Sequence, residues 1–178
     1  MLLYLTLLNQ QSLLTLILLS SDMAHIHEKI DFTAEVFIVY QNKVLLRIHD
    51  KYKKWLSVGG HIELDEEPNQ AAIREVREEV GLEVVLYHNP SHALVEHQGY
   101  KELIPPEFMN IHRINDIHQH ISLVYFATTD TDQLILSETE KSDGCKWFTK
   151  QELDEPQYQL SEVIKMYARS ALEKLAKE

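Results

Sequence analysis

The sequence predicts an α+β domain, a mixed sheet with one central helix and one terminal helix. Three observations carry that reading. Runs rich in valine, isoleucine and aromatic residues lie on both sides of residues 68–80. Pro68 and Gly81 frame a helix between them, because proline suits a first turn and glycine a C-terminal stop. Leu160, Ile164, Tyr167, Ala171, Leu172 and Leu175 recur at helical spacing near the end of the chain.

Taken in order, Ala34–Tyr40 reads as a first strand, and Gln41-Asn42 turns the chain into a second, Lys43–Ile48. Trp55–Val58 is a third, short apolar run that Gly59-Gly60 stops. The central helix follows from Pro68 to about Val80, and Leu82–Tyr87 reads as the next strand. Asn89–Asn115 holds three prolines and several histidines and reads as a long, partly irregular connection. Ile121–Ala127 alternates poorly, as expected of a strand buried on both faces. Leu160–Leu175 forms the terminal amphipathic helix.

Composition bounds the function. The 178 residues are 44% hydrophobic and 25% charged, which excludes collagen-like, low-complexity and wholly disordered chains. A mass of 20.8 kDa suits one ordinary domain with a core of its own. The single cysteine, Cys145, rules out an intramolecular disulfide and fits a reducing, cytoplasmic setting. Seventeen basic residues against 28 acidic ones leave a net charge of −11. That balance argues against broad nucleic-acid binding, which needs basic surface to displace counterions. It leaves room for small phosphorylated substrates, since a divalent cation held by carboxylates bridges two anions.

The first 22 residues stand apart. No charged side chain occurs before Asp22, and leucine dominates. A secretory signal would want a positive start, and Asn9-Gln10-Gln11-Ser12 interrupts any membrane helix. The reading favoured is a start codon assigned too early, with the chain proper running from Met23 to Glu178. An accessory helix packed on a partner, or at the interface of a homodimer, is the alternative, ahead of a membrane or export segment.

The chemistry is concentrated in residues 60–82. On a helix over 68–80, Ala72, Ile73, Val76 and Val80 line one face and Glu75, Glu78 and Glu79 fall together on the next. Three like charges within about one turn repel unless something neutralises them. Mg²⁺ or Mn²⁺ does so naturally, as hard cations that choose carboxylate oxygens. The frame around these glutamates is Gly60, Glu66, Arg74-Glu75, Val76, Glu78-Glu79, Gly81 and Leu82. That frame resembles the Nudix hydrolase signature at every specified position. With residue frequencies of order 6%, such a match arises by chance far less than once in about a million chains. The order of strands and helices is similar to that family from about Asp31 to Leu175.

The resemblance implies an α/β/α sandwich and a Mg²⁺- or Mn²⁺-dependent hydrolase of nucleoside diphosphates linked to another group. It implies metal ligation by Glu75, Glu78 and Glu79, with the Gly60 carbonyl as a further ligand. Glu75 and Glu79 carry the catalytic expectation, Glu75 as the water-activating base among MutT-like members. Arg74 and Glu66 are then an ion pair that orients the working carboxylate. The favoured substrate is a nucleoside triphosphate, including oxidised or non-standard ones. A dinucleoside polyphosphate or nucleotide sugar, and a catalytically silent nucleotide sensor, are the alternatives.

Outside the signature, many family members place another acidic ligand in a later loop, where this chain has Glu138 and Glu140; Glu140 is the expected ligand. His118 and His120 share one side of a predicted strand and are the expected contacts to phosphate or nucleotide, with ordinary strand or packing histidines as the alternative. With His112 nearby they still lack a full Cys/His set of recognisable zinc spacing. Tyr100 falls 18 residues after the signature's end at Leu82, where dinucleoside polyphosphate hydrolases of the family carry a tyrosine. The proline, NADH and coenzyme A motifs of other subfamilies are missing, as are a Gly-X4-Gly-Lys loop and a Gly-X-Gly-X2-Gly turn.

Overall fold

The computed structural model describes residues 29–136 and 142–176. The organising element is β1, Ile30–Tyr40, whose neighbours change along its length. Its end forms an antiparallel hairpin with β2, Lys43–His49, through Val39↔Val44 and Tyr40↔Lys43. Its beginning pairs antiparallel with β4, Val58–His61. Its other edge runs parallel to β9, Gln119–Thr128, from Ile30↔Gln119 to Val39↔Thr128. Beyond β2 lie β3, Trp55–Leu56, and β10, Ser142–Thr149; beyond β9 lie β5, Val85–Leu86, and β8, Phe108–Arg113. These eight strands make one mixed sheet. The remaining pair, β6 (Glu96–His97) and β7 (Tyr100–Lys101), forms a separate two-stranded hairpin around Gly99, whose φ of 77° suits glycine.

Two helices cover the two faces. Helix α1, Pro68–Val80, buries Ala71, Ala72, Val76 and Val80 against Val36, Ile38 and Tyr125. Helix α2, Glu162–Leu175, buries Ile164, Tyr167, Ala168, Ala171 and Leu172 against Phe37, Val39 and Phe126. Successive residues of β1 and β9 therefore point into opposite cores, which is why both strands read as continuous apolar runs. The expected α+β sandwich is the fold observed. No helix among the described residues is long and apolar enough to cross a membrane.

The ends of α1 follow the sequence closely. Pro68 occupies its first turn, the Glu67 side chain caps the Asn69 N–H, and the Gln70 side chain accepts from the Glu67 N–H at 3.1 Å. Gly81 ends it in the left-handed conformation at φ 68°. Asn69 exchanges hydrogen bonds with the backbone of Ile104, at 2.9 and 2.8 Å, and so pins the long connection to the start of α1.

Several expectations need correction. Gly59-Gly60 does not stop a strand but lies inside β4, after a break at Ser57. The strand expected over Leu82–Tyr87 shrinks to Val85–Leu86. Residues 89–115 contain β6, β7 and the six-residue β8, not irregular chain alone. Strand β8 is an edge strand whose Met109 and Ile111 stay exposed, and its backbone pairing to β9 supplies the order that its composition does not. Residues 1–22, Glu138 and Glu140 lie outside the described residues.

Glu152 anchors the turn after β10. Its carboxylate accepts from the Lys146 ammonium at 2.7 Å and from the Thr149 backbone and hydroxyl at 2.8 and 2.9 Å. Lys146 above all, then those Thr149 bonds, hold it down at about 2. Folding thus favours the ionised form, so the contribution is complete above the usual 4.5 and is lost as pH falls towards about 2. Glu152→Ala is expected to cost about 1–2 kcal/mol at pH 7, the partly exposed setting keeping it modest. The difference from wild type in urea unfolding should vanish on acidification below the folded value.

Candidate active site

The carboxylates of α1 are held by arginines and by the β4 backbone. Arg74 is the hub. Its Nε and Nη2 clasp Glu66 at 2.9 and 2.6 Å, its Nη1 reaches Glu75 at 2.9 Å and Glu78 at 2.8 Å, and Nη2 also donates to the His61 carbonyl. Glu66 holds Arg74 more firmly protonated than usual, and Arg74 in turn pulls the Glu66 carboxyl below the ordinary range. One guanidinium therefore ties the loop after β4 to two glutamates of the helix. The third, Glu79, is 3% exposed and is bound by Arg47 of β2, while its Oε2 accepts from the Gly59 N–H at 2.9 Å. The repulsion foreseen among the three glutamates is thus partly neutralised within the chain.

Gly59 and Gly60 exist for close approach. A Cβ on Gly59, at φ 144°, would fall 2.0 Å from the Ala34 carbonyl oxygen of the neighbouring strand. A Cβ on Gly60 would sit 2.5–2.7 Å from the atoms of the Glu75 carboxylate. The Glu75 head group therefore lies on the Gly60 backbone, as a shared ligand set would require. Gly60→Ala should push only the flexible end of Glu75 aside. The expected result is a small loss of stability and roughly a 10²-fold loss of turnover, read by thermal melting beside steady-state kinetics.

These groups form one wall of an open cleft of about 1350 Å³. Its floor comes from β1, where the face that holds Phe37 and Val39 against α2 turns polar at Glu35 and Thr33. Ser57 donates to Glu35 there at 3.1 Å. The opposite wall is apolar and comes from Ile111 of β8 and Val163, Met166 and Tyr167 of α2. His49 and Lys51 stand at the rim on the β2 side. A site with carboxylates at one end and an apolar slot at the other accepts a ligand of phosphate-plus-ring character.

The residues expected to act together do meet: Gly60, Arg74, Glu75, Glu78 and Glu79 all line the cleft, and Glu66 supports them through Arg74. Others are placed differently. Tyr100 sits on the β6–β7 hairpin, stacks on His97, donates to Glu102 and does not line the cleft. His118 is 3% exposed and faces the buried carboxylate of Asp31 rather than the cleft. His120 does line the cleft, and burial together with the adjacent His61 and His112 pushes its imidazole down to about 4.

Sequence reasoning missed Arg47, Asp31 and the apolar wall. Their signals were a lone arginine inside an apolar strand, polar residues at alternate positions 31, 33 and 35 of β1, and apolar Val163 and Met166 flanking the core stripe of α2.

A family model for the NUDIX domain matches residues 31–169, a span that includes every residue lining the cleft. The chain belongs to the NUDIX family. It is 38% identical to a NUDIX-family hydrolase from Clostridium perfringens of known crystal structure, over 81% of this chain and 97% of that one, with a TM-score of 0.71. A MutT NUDIX hydrolase from Burkholderia pseudomallei is 20% identical over 84% of this chain and all of its own, with a TM-score of 0.56, and shares the fold. A NUDIX hydrolase from Nitrosomonas europaea aligns at 17% identity over 83% of this chain and 73% of its own, with a TM-score of 0.54, and likewise shares the fold. The chain is a hydrolase of the NUDIX class.

Proposed function

We propose that this NUDIX hydrolase cleaves the pyrophosphate linkage of a nucleoside diphosphate derivative, a nucleoside triphosphate in the first instance, with Mg²⁺ or Mn²⁺ as cofactor. The observation that carries the reading is the convergence of Glu75, Glu78 and Glu79 with Gly60 on one wall of a cleft whose far wall is apolar. All-oxygen donors fit a hard divalent cation, and the packing of Glu75 on Gly60 brings carboxylate and strand backbone to one point. Glu75, Glu78, Glu79 and the Gly60 carbonyl would hold the ion. Bound there, it would polarise the phosphate and lower the pKa of a coordinated water.

The chain's own groups do the remaining work. Glu75 takes the proton of the attacking water. Arg74 is a positioning residue: clamped by Glu66, it fixes where the Glu75 and Glu78 head groups sit. Arg47 and the Gly59 N–H fix Glu79 in the same way. Ile111, Val163 and Met166 receive the base by apolar contact, and Asn110 beside them offers hydrogen bonds. Lys51 at the rim offsets the charge of the polyphosphate.

Product analysis tests the bond cleaved. With Mg²⁺ and a panel of normal and oxidised nucleoside triphosphates, dinucleoside polyphosphates, ADP-ribose and nucleotide sugars, the reading predicts a nucleoside monophosphate as one product. From a triphosphate the other product is pyrophosphate, detected as phosphate only after adding inorganic pyrophosphatase. Nucleoside diphosphate and phosphate as the products, or nucleotide binding without turnover across the panel, would overturn it.

A further inference from the structure

The polar stripe of β1 begins at Asp31, which is fully buried. Imidazoles stand close to it. His118 Nε2 and His61 Nε2 each lie 3.3 Å from Asp31 Oδ2. His120 is the register partner of Asp31 across the parallel β1–β9 pair, and one ligand atom each from Asp31, His118 and His120 falls within 4.8 Å of the others. The His120 ring packs against His61, His118 and His112 at centroid distances of 4.9, 5.1 and 5.6 Å. Three histidines, from β4, β9 and the segment just before β9, thus stand around one buried carboxylate, and the exposed His112 packs on His120 behind them.

Packing alone is a poor reason for this arrangement. Phenylalanine or leucine would fill the same space without desolvating polar rings and a charge. A catalytic Mg²⁺ is no reason either, because Mg²⁺ selects oxygen donors and these are mainly nitrogen. Imidazole with one carboxylate is the donor set of Zn²⁺ and its neighbours in the first transition series, and ligand atoms of a tetrahedral site stand about 3.3 Å apart at metal–ligand lengths near 2.0 Å. The carboxylate would also offset the charge of the ion.

We infer that Asp31, His118 and His120, with His61 beside them on the cleft side, form a second metal site, for a transition-metal dication of the Zn²⁺ type, separate from the glutamates of α1. Such an ion would fasten the start of β1 to β9 and β4 beneath the cleft. The β4 link matters because His61 directly follows Gly60.

The test uses the full chain, stripped with chelator and kept in saturating Mg²⁺ so that the glutamates are occupied. One equivalent of Co²⁺ should give the intense visible absorption of a low-coordinate, nitrogen-ligated ion. One equivalent of Zn²⁺ should abolish that absorption and raise the melting temperature. Glu75→Gln should retain the signal and His120→Asn should lose it. Equal absorption in wild type and His120→Asn, or loss in Glu75→Gln alone, would overturn the inference. If His120→Asn does not fold, X-ray absorption of the Zn²⁺-loaded wild type decides: a shell with at least two imidazoles is expected, and an oxygen-only shell contradicts it.

Discussion

Glu75→Gln is expected to lower turnover by roughly 10²–10⁴-fold with little change in substrate affinity or melting temperature, because it removes a proton acceptor at nearly constant shape. The head group touches Arg74 and the Gly60 backbone and is not part of either apolar core, so the fold does not depend on its charge. Glu78, half-exposed and held by the same guanidinium, is the graded comparison. Its replacement by glutamine should act through affinity for the divalent ion and be partly rescued by raising Mg²⁺. The measurement is kcat and KM across a Mg²⁺ series for the three proteins. Equal turnover in wild type and Glu75→Gln at every concentration would remove Glu75 from the reaction.

The largest effect on stability belongs to Arg47. Its guanidinium and the Glu79 carboxylate are both nearly inaccessible, at 7% and 3%, and they bind each other. Arg47→Ala takes its arginine from the buried Glu79 carboxylate, which still accepts from the Gly59 N–H, and such a loss typically costs about 3–5 kcal/mol. Arg47→Met with Glu79→Gln removes both charges and should recover much of that loss, because an uncharged pair has no buried charge to strand. Urea unfolding of Arg47→Met, of Glu79→Gln and of the double variant gives the coupling. A cost below about 1 kcal/mol for Arg47→Ala would mean that water reaches Glu79 and that the pair behaves as a surface bridge. Since Arg47 holds a proposed metal ligand, activity in Arg47→Met with Glu79→Gln should stay low even where stability returns.

What could be read without coordinates was the local part. Pro68, Gly81 and the spacing of Ala72, Val76 and Val80 gave α1 and the face its glutamates occupy, because helix ends and helical periodicity are written within one segment. The signature likewise brought Gly60, Glu66, Arg74 and Glu75 into one account. Glu79 was placed correctly as a neighbour of Glu75 and Glu78, but its partner was not foreseeable, since Arg47 comes from another strand. The same holds for Asp31 and His118, which meet only because β1 and β9 run parallel in one register. Strand β8 was missed for a related reason: Phe108, Met109 and Ile111 lie in a histidine- and proline-bearing stretch whose order comes from pairing with β9. Tyr100 was picked out by spacing alone, and the hairpin that carries it does not line the cleft.

The central claim is that the α1 carboxylates make this cleft a metal-dependent hydrolase of phosphoanhydrides. It is tested most directly by pyrophosphate release from nucleoside triphosphates with and without Mg²⁺, wild type run beside Glu79→Gln. The account predicts release that requires Mg²⁺ in wild type and collapses in Glu79→Gln while the variant, checked by circular dichroism, remains folded. Release that persists in chelator, or that is equal in both folded proteins, would contradict it.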